Sequence, residues 1–227
     1  MPFHLAEVVL WGRTFDEYAA MFALQDADRS RSILGCGDGP ASFNAEALQR
    51  NVKVVSVDPL YQLSVPQIRR SIADTAPVVA AQIRANAQDF VWSYFKGVDD
   101  LVAARMGAMQ VFLRDFPQGL AEGRYIPAQL PDLPFLDDTF DLALCSHFLF
   151  LYSGQYDARF HIQALQELCR VAQEVRIFPL LELSGAASPH LAEVTEALKA
   201  GGHTVIIEPV NYEFQKGGNQ MMRITSS

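Results

Sequence analysis

Basic residues are scarce in this chain. Lysine and arginine together number 18 against 26 acidic residues, for a net charge of −8. Proteins that grip nucleic acid through its phosphates gather positive charge on one face. Only short basic pairs occur here, Arg29/Arg31 and Arg69/Arg70, so nucleic acid is not expected as a partner. Cysteine is also rare. Cys36, Cys145 and Cys169 are odd in number and lack metal-type spacing. They read as reduced thiols in packed positions, and no metal site is expected. No stretch reaches the ~20 apolar residues of a membrane span. The first residues, with His4, Glu7 and Arg13 among apolar ones, lack the basic start and small-residue cleavage site of a secretory leader. The expectation is a cytoplasmic protein without a membrane partner. Internal repeats and low-complexity tracts are absent. What remains is a chain of 227 residues, half of them apolar. It can fill one substantial core and reads as a single domain over residues 1–227 with an elaboration. The sequence leaves the oligomeric state open.

Against that background, one segment is rich in information. Ser32-Ile33-Leu34-Gly35-Cys36-Gly37-Asp38-Gly39-Pro40 is followed by Val54-Val55-Ser56-Val57-Asp58. The pattern reads as a buried strand, a glycine-rich turn, a helix, and a second buried strand ending on an acid. Glycines let backbone approach a ligand closely, because they lack Cβ and tolerate positive φ. An acid at the tip of the next strand can accept hydrogen bonds from two ribose hydroxyls. Asp58 lies 23 positions after Gly35, close to the ~20 of one β-α-β step. A dinucleotide fingerprint, G-x-G-x-x-G/A, fails because its last position is Pro40. A phosphate-binding P-loop fails because no Gly-Lys-Ser/Thr follows. The pattern present is G-x-G-x-G.

That pattern resembles the first motif of class I S-adenosylmethionine-dependent methyltransferases, (D/E)-x-G-x-G-x-G. A second segment, Leu133-Pro134-Phe135-Leu136-Asp137-Asp138-Thr139-Phe140-Asp141-Leu142-Ala143-Leu144, is similar to the family's L-P-F-x-D-x-x-F-D stretch. The resemblance runs from about Arg31 to the C-terminus, apart from one long insert. It implies a mostly parallel, Rossmann-like seven-stranded sheet ending in an antiparallel hairpin, with S-adenosylmethionine as cofactor. The implied cofactor contacts are Gly35, Cys36, Gly37 and Gly39 at the methionine end, and Asp58 and Pro59 at the ribose. Gln129 and Leu130 would border the adenine, and Ser146 would stand at the tip of the fourth strand. Two positions depart from the family. Its leading acid falls on Ile33, and the acid that reads the adenine amino group is here Gln129, whose amide oxygen can still accept.

Elements follow from periodicity. Thr14 and Glu17 form a capping box for a helix to Leu24. Phe15, Tyr18, Met21 and Phe22 lie on one face, which either packs on the sheet or covers the cofactor. Tyr18 needs a hydroxyl partner if buried. The first strand covers Ser32–Leu34 and reaches toward Gly35. A helix runs from near Ala41 to Gln49, its N-terminus offering free N–H groups to a carboxylate. Val52–Val57 is a strand buried on both faces. From about 65 to 119 the pattern is helical, with Val79, Ile83, Phe90, Val91 and Tyr94 suiting one helix. Val102, Met106, Met109, Leu113 and Phe116 suit a second, with Gly97 and Pro117 as punctuation. This insert is either a packed elaboration or dimer surface, or a cap that shapes an acceptor pocket. Strands are expected at Tyr125–Gln129, Leu142–Ser146, Val175–Leu181, Val205–Val210 and Met221–Thr225. Helices are expected at Tyr156–Val171 and Pro189–Ala200.

Ligands of open α/β sheets bind outside the carboxyl ends of the strands. The glycine turn, Asp58, Gln129 and Ser146-His147 should therefore share one edge. His147 is the candidate catalytic base, since an unperturbed imidazole titrates near neutral pH. The alternative role for His147 is a wall or a cofactor contact. Tyr152 and its aromatic neighbours are either core or an apolar acceptor wall. Asp38 reads as an ordinary turn-former, and Tyr212 to Lys216 are undecided. No Asn/Asp-Pro-Pro-aromatic signature of exocyclic-amine methylation appears, because that position reads Cys145-Ser146-His147-Phe148. The expected activity is methyl transfer to a small-molecule acceptor. The alternatives are a non-catalytic module binding S-adenosylmethionine or S-adenosylhomocysteine, and a nicotinamide-dependent oxidoreductase.

Overall fold

The structure is a computed structural model that describes residues 9–226; His4 and Glu7 of the N-terminal reading lie outside them. A seven-stranded sheet runs in the order β3-β2-β1-β4-β5-β7-β6. Its strands are β1 (Ser32–Cys36), β2 (Lys53–Val57), β3 (Tyr125–Ile126), β4 (Leu142–Ser146), β5 (Glu174–Phe178), β6 (His203–Pro209) and β7 (Gln220–Ser226). Pairing is parallel from β3 through β5, and antiparallel where β7 joins β5 and β6. This is the sheet that the sequence leads one to expect, with its reversal of strand order beside β1 and β4. The central strands are buried on both faces, which is why they read as unbroken apolar runs.

Six helices flank the sheet among the described residues: α1 (Phe15–Met21), α2 (Phe43–Gln49), α3 (Val65–Ala85), α4 (Val98–Ala121), α5 (Ala158–Val171) and α6 (Leu191–Ala200). Thr14 and Glu17 close the capping box of α1 as its sequence indicates. On α5, Leu165, Leu168 and Val171 form part of the core with Ala143, Val175 and Ile177.

Several boundaries differ from the sequence reading, each for a local reason. Pairing of β3 stops at Ile126, because Pro127 brings no N–H to the edge strand. Helix α2 starts at Phe43; the Ser42 N–H is taken by the Arg13 carbonyl at 3.0 Å and the Ala41 N–H by the Asp38 carbonyl. Those donors are therefore not turned toward a ligand. Phe90, Val91 and Tyr94 do not continue the helix that carries Val79 and Ile83. The chain leaves it at Asn86, and the Val91 N–H bonds the Phe214 carbonyl at 2.7 Å. Apolar spacing reported burial there, not helix. Pro117 does not end α4, which runs on to Ala121. Around it, Leu113 and Phe116 pack with Tyr61 and Tyr125, and a Cβ on Gly119 would lie 2.4 Å from the Tyr125 ring. Tertiary packing holds this turn despite the missing donor.

A buried ion pair joins the N-terminal helix to the helical insert. Arg105 of α4 donates to Glu17 of α1 at 2.5 Å, and the Tyr212 hydroxyl donates to the other Glu17 oxygen at 2.9 Å. Arg105 is 1% exposed and Glu17 4%. Removing one partner of such a pair strands the other charge in the interior. Glu17→Ala is expected to lower stability by about 3–5 kcal/mol in urea unfolding. The double change Glu17→Leu with Arg105→Met should recover most of that loss.

Candidate active site

Two cavities meet at the carboxyl ends of the strands. The larger, of about 430 Å³, lies beside β1, β2 and β4. That is within the range of small-molecule sites, about 300–1,000 Å³. Cys36, Gly37, Gly39, Asp58, Pro59, Gln129, Leu130, Ser146 and His147 all line it. Gly35 is not among its lining residues. A Cβ at Gly35 would fall 2.0 Å from the Asp38 carboxylate, so glycine is needed there to make room for Asp38. Gly37 and Gly39 have φ of +69° and +53°, a region open chiefly to glycine. A Cβ on Gly37 would also press to 3.1 Å from Phe148.

Asp38 is more than a turn-former. It is 7% exposed, accepts from the Tyr18 hydroxyl at 2.8 Å, and accepts from the Ser56 hydroxyl at 2.6 Å. Both it and Tyr18 border the large cavity. Burial pushes its carboxyl up to about 7, against the pull of those two hydrogen bonds. The polar chain continues behind the site. Asn44 donates to Ser56 at 3.2 Å, Arg124 to Asn44 at 2.6 Å, and Arg124 grips Asp115 of α4 with both terminal nitrogens. Sequence reasoning missed this role for Asp38. The available signal was its position inside the glycine turn, two residues after Cys36, together with the absence of an acid at Ile33. Ile33 itself is 1% exposed and packs in the apolar cluster containing Tyr18 and Phe43.

Asp58 stands at the end of β2. Its two oxygens accept the Gly39 and Leu60 N–H groups, each at 2.8 Å. A carboxylate offers about four lone-pair sites, so each oxygen retains capacity toward the cavity. Burial pushes its carboxyl up to about 6, with the two N–H bonds opposing. The acid of the F-D pair, Asp141, faces elsewhere. It accepts the Ser32 N–H at 2.7 Å, tying the starts of β1 and β4 together. Glu167 accepts the Leu133 N–H at 2.8 Å and pairs with Arg170, which anchors the Leu133-Pro134-Phe135 segment.

The smaller cavity, of about 90 Å³, shares Val9, Trp11, Arg13 and His147 with the larger one. Aromatic and aliphatic groups dominate the rest of its wall, including Phe90, Tyr152, Phe178, Tyr212 and Phe214. Phe90 and Phe214 stack with ring centroids 4.7 Å apart. Tyr152 and the Tyr212–Gln215 segment thus line this cavity, which the sequence left undecided. His147 has φ of +52° and donates its N–H to the Phe178 carbonyl at 2.7 Å. Its Nδ1 lies 3.0 Å from the Ser146 hydroxyl. Burial, with repulsion from Arg13 and Arg105, holds the imidazole well below its ordinary value, so it is neutral near pH 7. Arg13 was read in the sequence only as part of the chain start. Its backbone is pinned at the glycine turn by Ser42, and Gly12 permits this, since a Cβ there would lie 2.3 Å from the Pro40 carbonyl.

The sheet, its closing antiparallel hairpin and the cleft at the strand ends define the class I S-adenosylmethionine-dependent methyltransferase fold. The chain belongs to the same family as the uncharacterized protein MJ0045 of Methanocaldococcus jannaschii, with 34% identity over 222 residues and 97% of each chain covered. No known family profile matches it. Among solved structures, magnesium protoporphyrin IX methyltransferase from Synechocystis PCC 6803 with bound S-adenosylhomocysteine superposes with a TM-score of 0.50 and 12% identity. That match covers 94% of this chain and 81% of the other. A looser match is the 1,6-didemethyltoxoflavin-N1-methyltransferase of Burkholderia thailandensis, TM-score 0.46 and 13% identity, covering 93% and 77%. No helix among the described residues is long and apolar enough to cross a membrane, and no cluster of metal-ligating side chains occurs among them.

The raised Asp38 and Asp58 carboxyls set a pH dependence. A carboxyl held above its ordinary value near 3.8 favours the folded state while protonated. That advantage is complete below pH 3.8 and is lost as pH rises to about 6 for Asp58 and about 7 for Asp38. Asp38→Asn is expected to flatten the decline. Urea unfolding from pH 4 to 8 checks this, and a decline of equal slope in the variant would contradict it.

Proposed function

We infer that the protein transfers a methyl group from S-adenosylmethionine to a small-molecule acceptor in the cytoplasm. The observation that carries this reading is the pair of adjoining cavities that share His147 and Arg13 in their walls. One is large enough for a nucleoside cofactor and edged by two carboxylates. The other is small, aromatic and closed by different elements.

The residues present fit the cofactor. Gly37 and Gly39 leave backbone bare along the cavity wall, where a side chain would intrude. Asp58 keeps lone pairs for two ribose hydroxyls. Asp38, already held by Tyr18 and Ser56, presents negative charge where the cofactor's ammonium and sulfonium need it. It thus supplies the acid that is absent at Ile33. Gln129 and Leu130 border the adenine end, and Ser146 closes the floor. S-adenosylmethionine held there would supply an electrophilic methyl carbon to the acceptor's lone pair and would be left as S-adenosylhomocysteine. Such a transfer depends mainly on in-line placement.

His147 stands at the neck between the cavities. Its positive φ and its N–H bond to Phe178 fix the backbone, and Ser146 meets one ring nitrogen. In the tautomer that donates to Ser146, the other nitrogen can accept a proton from an acceptor hydroxyl or amine. Because the imidazole is neutral near pH 7, His147 has no proton to lose there first. Helix α3 of the insert acts as the cap of the acceptor side, since its Val79 and Ile83 form one wall of the smaller cavity.

Asp58→Ala is expected to weaken S-adenosylhomocysteine binding by about 1–3 kcal/mol, the scale of lost hydrogen bonds to a charged group. His147→Ala should leave that affinity unchanged while lowering turnover. Calorimetric titration of each folded variant checks both. Unchanged affinity in Asp58→Ala would remove Asp58 from the site, and a large loss in His147→Ala would make His147 a cofactor contact.

A further inference from the structure

Arg13 is the cation at the neck. It borders both cavities, yet among the described residues it has no carboxylate partner. One terminal nitrogen donates to the Trp11 carbonyl at 3.2 Å, and its Nε is buried with no hydrogen-bond partner. The carboxylate whose charge acts on it, Glu17, is already engaged by Arg105 and Tyr212. Among the described residues, two guanidinium groups thus share one carboxylate, and the half-buried Arg13 is left without a carboxylate of its own. A cation partly withdrawn from water without a counter-charge is costly. Proteins keep such a group where a ligand of opposite charge completes it.

The other polar groups of the smaller cavity are largely committed. Tyr212 donates to Glu17, Gln215 donates to the Glu182 and Leu183 carbonyls, and the Tyr152 oxygen accepts the Val9 N–H. Arg13, His147 and the Tyr152 O–H remain to meet a ligand, over walls that are otherwise aromatic and aliphatic. We propose that the acceptor is a small carboxylic acid with a compact apolar body, its carboxylate held by the Arg13 fork and its body enclosed by Phe90, Phe178, Tyr212 and Phe214. A planar guanidinium matches a carboxylate through two parallel N–H bonds. The cavity volume of about 90 Å³ limits the body to a single ring or a branched aliphatic group. Arg13 is then the specificity-determining residue of the acceptor side. This proposal rests on the reading of the larger cavity as the cofactor site.

The test is calorimetric titration of the full chain, saturated with S-adenosylhomocysteine, against benzoate, 4-hydroxybenzoate, isovalerate and the uncharged benzamide. At least one carboxylate is expected to bind ten-fold or more tightly than benzamide. Arg13→Gln should remove that preference without changing S-adenosylhomocysteine affinity. Arg13→Lys, which keeps the charge but loses the fork, should retain part of the preference. Three results would overturn the proposal: no carboxylate of the panel binds although S-adenosylhomocysteine does; benzamide binds equally well; or Arg13→Gln weakens S-adenosylhomocysteine ten-fold, which assigns Arg13 to the cofactor's own carboxylate. Failure of S-adenosylhomocysteine to bind the unmodified protein would instead remove the underlying reading.

Discussion

The Asp38 carboxylate is the point on which the site is built. It rests against the bare Cα of Gly35 on β1, takes a hydrogen bond from Tyr18 on α1, and takes another from Ser56 on β2. The adjoining strand and two elements 18 and 20 positions away are thereby fixed to the turn that lines the cavity. Behind Ser56, the hydrogen bonds pass through Asn44 and Arg124 to Asp115, so the helical insert is registered to the same turn. A buried polar chain of this kind is specific because each member is satisfied only in one arrangement. It also holds a carboxyl whose ionisation is costly until a cation arrives.

A second constraint governs the neck between the cavities. The segment that carries Arg13 crosses the glycine turn at very short range, which Gly12 alone allows, and the Ser42 N–H clamps it there. On the far side, Glu17, Arg105 and Tyr212 knot together α1, α4 and the loop before β7. The neck is therefore bounded by parts of the chain that come from both ends and from the insert. That arrangement places a neutral histidine, and a guanidinium with no carboxylate partner among the described residues, on the wall that the two cavities share. In a protein that positions two small molecules for direct transfer, this is where discrimination between acceptors would be exercised.

Much of this was readable from the residues. The strand, glycine turn, strand and terminal acid gave the sheet edge, because buried parallel strands and φ-positive glycines leave strong marks. The segment around Leu133 placed β4 correctly, and its acid Asp141 ties the starts of β1 and β4 together. The insert was legible as helical but not in its course. Phe90 and Val91 keep a helical spacing while pairing with Phe214, since burial alone does not distinguish helix from extended chain. Asp38 and Arg13 were not legible as functional groups. An acid in a glycine turn looks like any turn residue until its partners, 18 and 20 positions away, are brought beside it. An arginine near a chain start carries no mark of being unpaired.

The most direct measurement is a crystal structure of the protein with S-adenosylhomocysteine. The account predicts the nucleoside in the larger cavity, its ribose on Asp58, its ammonium facing Asp38, and its sulfur at the neck beside His147, aimed into the smaller aromatic cavity. Density for the ligand elsewhere, or a sulfur turned away from that neck, would contradict the two-cavity account of transfer.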